Sequence, residues 1–179
     1  RGLVGSEMCI RDRLKGWWNG IATGDFNEDG LLDIVATNWG LNTKYHFTPS
    51  HPRQVYYDDF DNNNVLDIVE AHYDGDFEDL VPERGFSCIS NAMPFVREEK
   101  QTFLNYAQST LTDIFGNSLE TSPYLEANTL ESVVLINNGN SFTSHPLPFE
   151  AQISTAMHAG VADINGDGHE DIFISQNFF

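Results

Sequence analysis

The chain of 179 residues carries 27 acidic against 9 basic side chains, a net charge of −18, with 40% hydrophobic and 12% aromatic residues. That apolar content supports a packed core and excludes a disordered chain, while the acidic excess excludes phosphate-backbone binding and electrostatic attraction to anionic membranes, which need clustered Lys and Arg. No run of about 18 apolar residues occurs, so no segment is predicted to cross a bilayer as a helix, and cationic partners are favoured.

Residues 1–13, RGLVGSEMCIRDR, lack the charged, apolar and small-residue order of a secretory signal and resemble the adapter-derived peptide found at the ends of translated environmental reads. They are therefore read as non-native, and the native domain as starting at residue 14. Setting them aside removes Cys9 and leaves Cys88, expected to be a buried apolar residue or to pair with a cysteine outside this fragment. Trp17, Trp18 and Trp39 are expected to pack, with stacking on a sugar as the alternative.

One pattern then recurs three times: IATGDFNEDGLLDIVATN from Ile21, VYYDDFDNNNVLDIVEAH from Val55 and GVADINGDGHEDIFISQN from Gly160. Each copy is a short apolar run, a nine-residue acidic loop and a run rich in β-branched and aromatic residues, which predicts strand, loop, strand. The second runs carry apolar neighbours, Ile34–Val35, Ile68–Val69 and Ile172–Phe173, and so predict strands buried on both faces. The first two loops begin 34 residues apart, at Asp25 and Asp59, close to the length of a propeller blade. After the second copy, HYDGDFED from His72 reads as a solvated turn, with an irregular metal site as the alternative. A helical insertion is expected over about 74–129, because Phe103, Tyr106, Ala107, Leu111, Ile114 and Phe115 recur at three and four and Gly116 follows. A structural cover is favoured for it over a catalytic role. Glu131–Asn137 and Phe142–His145 flank Asn138-Gly139 and predict a hairpin before the third copy.

The loops supply Asp25, Asn27, Asp29 and Asp33; Asp59, Asp61, Asn63 and Asp67; and Asp163, Asn165, Asp167 and Asp171, at positions one, three, five and nine. Side chains at this spacing converge on a cation when the backbone wraps round it, and position seven adds the carbonyls of Leu31, Val65 and His169. All these ligands are hard oxygens, which suit Ca²⁺ at up to three sites and disfavour Zn²⁺ or Cu²⁺. Position six needs left-handed backbone, supplied by Gly30 and Gly168, while Asn64 in the second loop predicts a weaker site. An EF-hand would require glutamate at position twelve and flanking helices. That position holds Ala36, Glu70 and Ile174, and β-type sequence follows each loop, so the EF-hand is rejected. Ser87, His72 and a nearby Asp make no convincing triad, since no nucleophile elbow is present, and no phosphate-cradling glycine loop occurs.

GDFNEDGLLDIV and VADINGDGHEDIF resemble the D-x-D-x-D-G-x-x-D blades of FG-GAP/VCBS repeats, as in integrin α-subunit propellers. The segment from Asn138 to Thr143 is similar to the hairpin after such loops in bacterial VCBS proteins related to cartilage acidic protein. RGFSCISNAMPF from Arg84 is similar to an insertion in that group. The likeness spans most of residues 17–179; Asn64 in place of glycine and the long insertion depart from it. It implies an all-β fold, a partial β-propeller of about three blades from an expected seven, in an extracellular, cell-surface or periplasmic protein. The implied function is a calcium-dependent recognition or adhesion module, more a binding protein than an enzyme, with an extracellular protein or carbohydrate as partner. The alternative is the propeller portion of a secreted hydrolase or lyase acting on polysaccharide.

Overall fold

The computed structural model describes residues 14–177. In chain order the strands are β1 Gly20–Gly24, β2 Asp33–Thr37, β3 Arg53–Asp58, β4 Asp67–Asp74, β5 Asp79–Pro82, β6 Tyr124–Ala127, β7 Val133–Asn137, β8 Phe142–Pro146, β9 Ala156–Ala162 and β10 Asp171–Gln176. Five short helices lie between β5 and β6: α1 Phe86–Ala92, α2 Pro94–Lys100, α3 Phe103–Ala107, α4 Leu111–Phe115 and α5 Ser118–Thr121. The fold is thus mostly antiparallel sheet with a few short helices, and the described residues divide into two compact units, one of residues 14–46 with 128–177 and the other of 47–127.

The first unit holds a four-stranded antiparallel sheet in the order β1-β2-β7-β8 and a separate β9-β10 hairpin. The predicted hairpin of residues 131–145 forms β7 and β8, with Asn137 opposite Phe142 and a turn in which Gly139 has φ +82°. It pairs with β2, placing Leu135, Val134 and Val133 opposite Ile34, Val35 and Ala36. The sheet that begins at the first acidic loop is therefore completed by residues about a hundred positions later, and the whole second unit is inserted between its second and third strands.

Alternation divides the apolar residues of this sheet between two faces. Val35 is fully buried with Leu147 and Ala159, packed by Ile172 and Ile174 of β10. Ala36, Val133 and Leu135 form the other cluster, against Leu14 and Trp18. Asn38 follows β2 directly and has no exposure, its Oδ1 accepting from Trp17 N (3.0 Å) and Trp39 N (2.8 Å) while its Nδ2 donates to Thr129 O (2.9 Å). One carboxamide thus satisfies the backbone where three segments meet and would otherwise leave polar groups unpaired. Gly40, at φ +86°, admits no side chain, since a Cβ would stand 2.8 Å from Gln152 O. Trp17 meets Trp39 and Tyr45 edge-on, at ring separations of 5.3 and 5.0 Å.

The second unit is a four-stranded antiparallel sheet, β5-β4-β3-β6, with the helices packed on one face. Tyr56, Val69 and Ala71 of the sheet join Phe86, Met93, Val96, Leu111 and Phe115 of the helical segment in one core. The helices start on local signals: Pro94 opens α2, and Thr110 caps α4 with a reciprocal box to Asp113. On the opposite face the buried Arg53 guanidinium reaches Glu83 at 2.7 Å and Glu70 at 3.9 Å, and His72 Nδ1 lies 3.1 Å from the same Glu83 oxygen. HYDGDFED forms the β4–β5 turn, with Asp74 Oδ1 accepting from Asp76 N at 2.8 Å.

Three expectations are corrected. The segment 74–129 is not helical throughout: it also contributes β5 and β6, because the sheet that starts at the second loop takes its outer strands from either end of that stretch. The strands after the loops are not buried on both faces, since Ile68 is 67% and Phe173 58% exposed. Helices cover only the Val69 side of β4, and β9-β10 packs only its Ile172 and Ile174 side on the first sheet. Cys88 is exposed, because α1 turns Phe86, Ile89 and Ser90 inward and leaves Cys88 on its outer side. Cys9 and the rest of residues 1–13 lie outside the described residues.

Candidate metal-binding loops

All three acidic loops connect antiparallel neighbours, β1 to β2, β3 to β4 and β9 to β10, and all three are folded by the same hydrogen bonds. The position-one aspartates, Asp25, Asp59 and Asp163, accept from the position-five N–H through Oδ1, at 3.1, 2.9 and 3.1 Å. Through Oδ2 they accept from the position-six N–H of Gly30, Asn64 and Gly168, at 2.9, 2.8 and 2.9 Å. The position-three oxygens of Asn27, Asp61 and Asn165 also accept from position five, at 3.2, 3.3 and 2.8 Å. Position five, Asp29, Asn63 and Asp167, accepts from the N–H of Leu31, Val65 and His169 at 2.8, 2.7 and 2.9 Å. Position nine closes the loop, Asp33, Asp67 and Asp171 each accepting from position two at 3.0, 3.2 and 3.0 Å.

This wrap depends on left-handed backbone at two positions. Position six has φ of +83° at Gly30, +64° at Asn64 and +93° at Gly168. Position four has φ of +60° at Glu28, +58° at Asn62 and +77° at Gly166, a requirement sequence reading missed. Asn62 and Gly166 are residue types that tolerate this region and could have signalled it; Glu28 gives no such signal.

The side chains brought together are oxygen donors. One carboxylate oxygen each of Asp59, Asp61 and Asp67 lies within 4.8 Å of the others, the one such trio among the described residues. The first and third loops also carry three Asp and one Asn, but with Asn at position three and Asp at position five, and their carboxylates form no such trio. Burial pushes the Asp67 carboxyl above its ordinary pKa, against the Phe60 N–H bond that lowers it, and Asp61 and Asp59 push it further up. Such a cluster is an arrangement whose ionised form a cation would favour. The donor set is carboxylate and carboxamide oxygen with no thiolate, so the residues fit a hard divalent cation.

Position nine also connects loop to sheet. Asp33 is fully buried, and its Oδ1 accepts from Asn137 N at 2.7 Å while Asn137 Nδ2 donates to Leu32 O at 3.0 Å. The end of β7 is thereby held to the first loop. The first and third loops touch: Glu170 Oε2 accepts from Asp25 N at 2.6 Å, and Glu28 pairs with the His169 ring. His72, the imagined triad member, is turned to Glu83. Compared with family profiles, curated proteins and solved structures, the chain shows no match to any of them.

Proposed function

We propose that this chain is part of a calcium-dependent β-propeller of the FG-GAP/VCBS type, acting as an extracellular recognition or adhesion module. The observation that carries the reading is the common wrap of the three loops at the ends of paired strands, in which the side chains at positions one, three, five and nine accept from the loop backbone in one shared pattern, with the Asp59, Asp61 and Asp67 carboxylates of the second loop drawn together. One Ca²⁺ per loop would be held by Asp25, Asn27, Asp29, Leu31 carbonyl and Asp33; by Asp59, Asp61, Asn63, Val65 carbonyl and Asp67; and by Asp163, Asn165, Asp167, His169 carbonyl and Asp171. Calcium neutralises each cluster and ties a loop to the strands on either side, so binding stabilises the sheet. Sites of this kind are filled at millimolar extracellular calcium, which supports location outside the cytoplasm. Partner recognition falls to loops and to the helical segment, which a clamped scaffold presents rigidly.

Calorimetric titration of chelated protein with Ca²⁺, followed by thermal melts, tests the reading. Three equivalents bound and a higher melting temperature are expected, each saturated site adding about 2.7 kcal/mol at 100 times its dissociation constant. A melt unchanged between excess chelator and calcium at roughly 10 mM, about tenfold above the dissociation constant of the weakest such sites, would refute it.

A further inference from the structure

The second loop differs from the other two in what flanks its position-one aspartate. Gly24 and Ala162 precede Asp25 and Asp163, whereas Asp58 precedes Asp59. Asp58 Oδ1 accepts from Asp59 N at 2.9 Å, and its Oδ2 accepts at 2.7 Å from the hydroxyl of Ser122, the residue that caps the end of α5. Ser122 is buried, and the same hydroxyl lies 2.7 Å from Ser118 O, so one proton is shared between the loop and the last turn of the helix. On the other side of Asp59, Phe60 donates its N–H to Asp67 and sets its ring against Phe115 of α4, with centroids 4.9 Å apart. Phe60 thereby packs on the core that sheet and helices share. At the same place in the other loops, Ile164 is exposed and Phe26 packs within the first unit.

We propose that the second loop is a calcium-operated latch on α4 and α5: a cation held at Asp59, Asp61 and Asp67 fixes the backbone that carries Asp58 and Phe60, and so orders the end of the helical segment. The inference rests on the calcium reading of the loops and adds to it that one site controls a surface assigned to partner recognition. Carboxylate oxygens within 4.8 Å of one another repel unless a cation stands among them. Asp58 and Phe60 are each bonded in sequence to Asp59, so a loop that opens under that repulsion carries both away from Ser122 and Phe115. Helices of five and four residues do not persist without such anchors. Tyr57 N, which donates to Pro123 O at 3.2 Å, joins the same strand end to the residue after Ser122. The coupling is reciprocal: a change that loosens the latch weakens calcium at the second loop by the factor by which calcium favours the ordered helices.

The test is hydrogen–deuterium exchange of the whole chain in calcium and in chelator, read beside the calorimetric stoichiometry. In the parent, calcium is expected to slow exchange at residues 111–121 by at least about fivefold, the lower end of coupling between sites. Asp61→Ala is expected to bind two equivalents and to lose that slowing. Ser122→Ala and Phe60→Leu keep every calcium ligand and an apolar core. Both are expected to bind three equivalents, the second-loop one at least about fivefold more weakly, and to lose the slowing at residues 111–121 while β3 and β4 keep theirs. Three equivalents bound by the parent with exchange at residues 111–121 unchanged would overturn the proposal and leave the calcium reading intact. Equal slowing there in the parent and in Asp61→Ala would overturn it in favour of a general stabilisation by the other two sites. A parent chain that binds no calcium would overturn both readings.

Discussion

Single carboxylates in these loops carry two kinds of work, and substitution separates them. Asp29 is exposed and accepts from Leu31 N and Asn27 Nδ2, groups that water can serve as well. Asp33 is buried and holds Phe26 N and Asn137 N, which alanine would leave without an acceptor. Asp33→Ala is expected to cost roughly 1–3 kcal/mol in chelator, from two part-buried donors left without their acceptor. Asp29→Ala is expected to leave the chelated melt within about 0.5 kcal/mol of the parent and to remove one equivalent of calcium. Chemical denaturation in chelator, alongside the calorimetric stoichiometry, reads both. Equal loss for the two variants in chelator would show that the loops are held by something other than these bonds.

Among the elements, the short helices of the second unit depend on end chemistry, because four to seven residues are too few to be stable by propensity. The box at α4 is the clearest case. Thr110 Oγ1 accepts from Asp113 N at 3.2 Å, and Asp113 Oδ2 accepts from Thr110 N at 2.9 Å. The backbone N–H and then the hydroxyl of Thr110 hold the Asp113 carboxyl below its ordinary pKa. A carboxyl depressed in the folded state adds stability at pH above its unfolded value, about 3.9, and that stability is lost as pH falls through the folded value. Thr110→Ala is therefore expected to cost about 1 kcal/mol at pH 7. The pH dependence is read on Asp113→Asn, which removes the carboxylate that both groups of Thr110 stabilise: its cost relative to the parent should shrink between pH 4 and 2, by urea unfolding at each pH, and a cost independent of pH would remove the Asp113 charge from the account. The strands follow other rules. Val35, Val69 and Phe173 occupy equivalent places, yet the first is covered by the β9-β10 hairpin, the second by helices, and the third is exposed.

For the chain as a whole, the insertion of residues 47–127 between β2 and β7 has an energetic consequence. Its first and last strands are neighbours, with Arg53 opposite Ala127 and Tyr56 opposite Tyr124, so its two ends emerge side by side. It has its own core and its own acidic loop. A segment with adjacent ends and an independent core is expected to fold when excised. Residues 47–127 alone should show a cooperative melt and bind one equivalent of calcium, with the first unit retaining the other two. A non-cooperative melt of the excised segment in calcium and in chelator would mean that its stability comes from the rest of the chain.

The sequence by itself determined the loops. Their hydrogen bonds join residues two to seven apart, so the Asp and Asn spacing and the residue at position six contain nearly all the information needed, and fifteen candidate ligand positions could be read directly. The hairpin of residues 131–145 was legible for the same reason, its turn being encoded by Asn138 and Gly139. What only the tertiary structure decided is everything that joins distant residues. The pairing of β7 with β2, the bond from Asn137 to Asp33 and the choice of covered face on each sheet depend on segments up to about a hundred positions apart. Periodicity reports that a residue is apolar and on which side of a strand it falls; it carries no record of what that side meets. Ile68 and Phe173 were therefore misread as buried, and Cys88 likewise, because a helix face becomes inner or outer only when the helix has something to pack against.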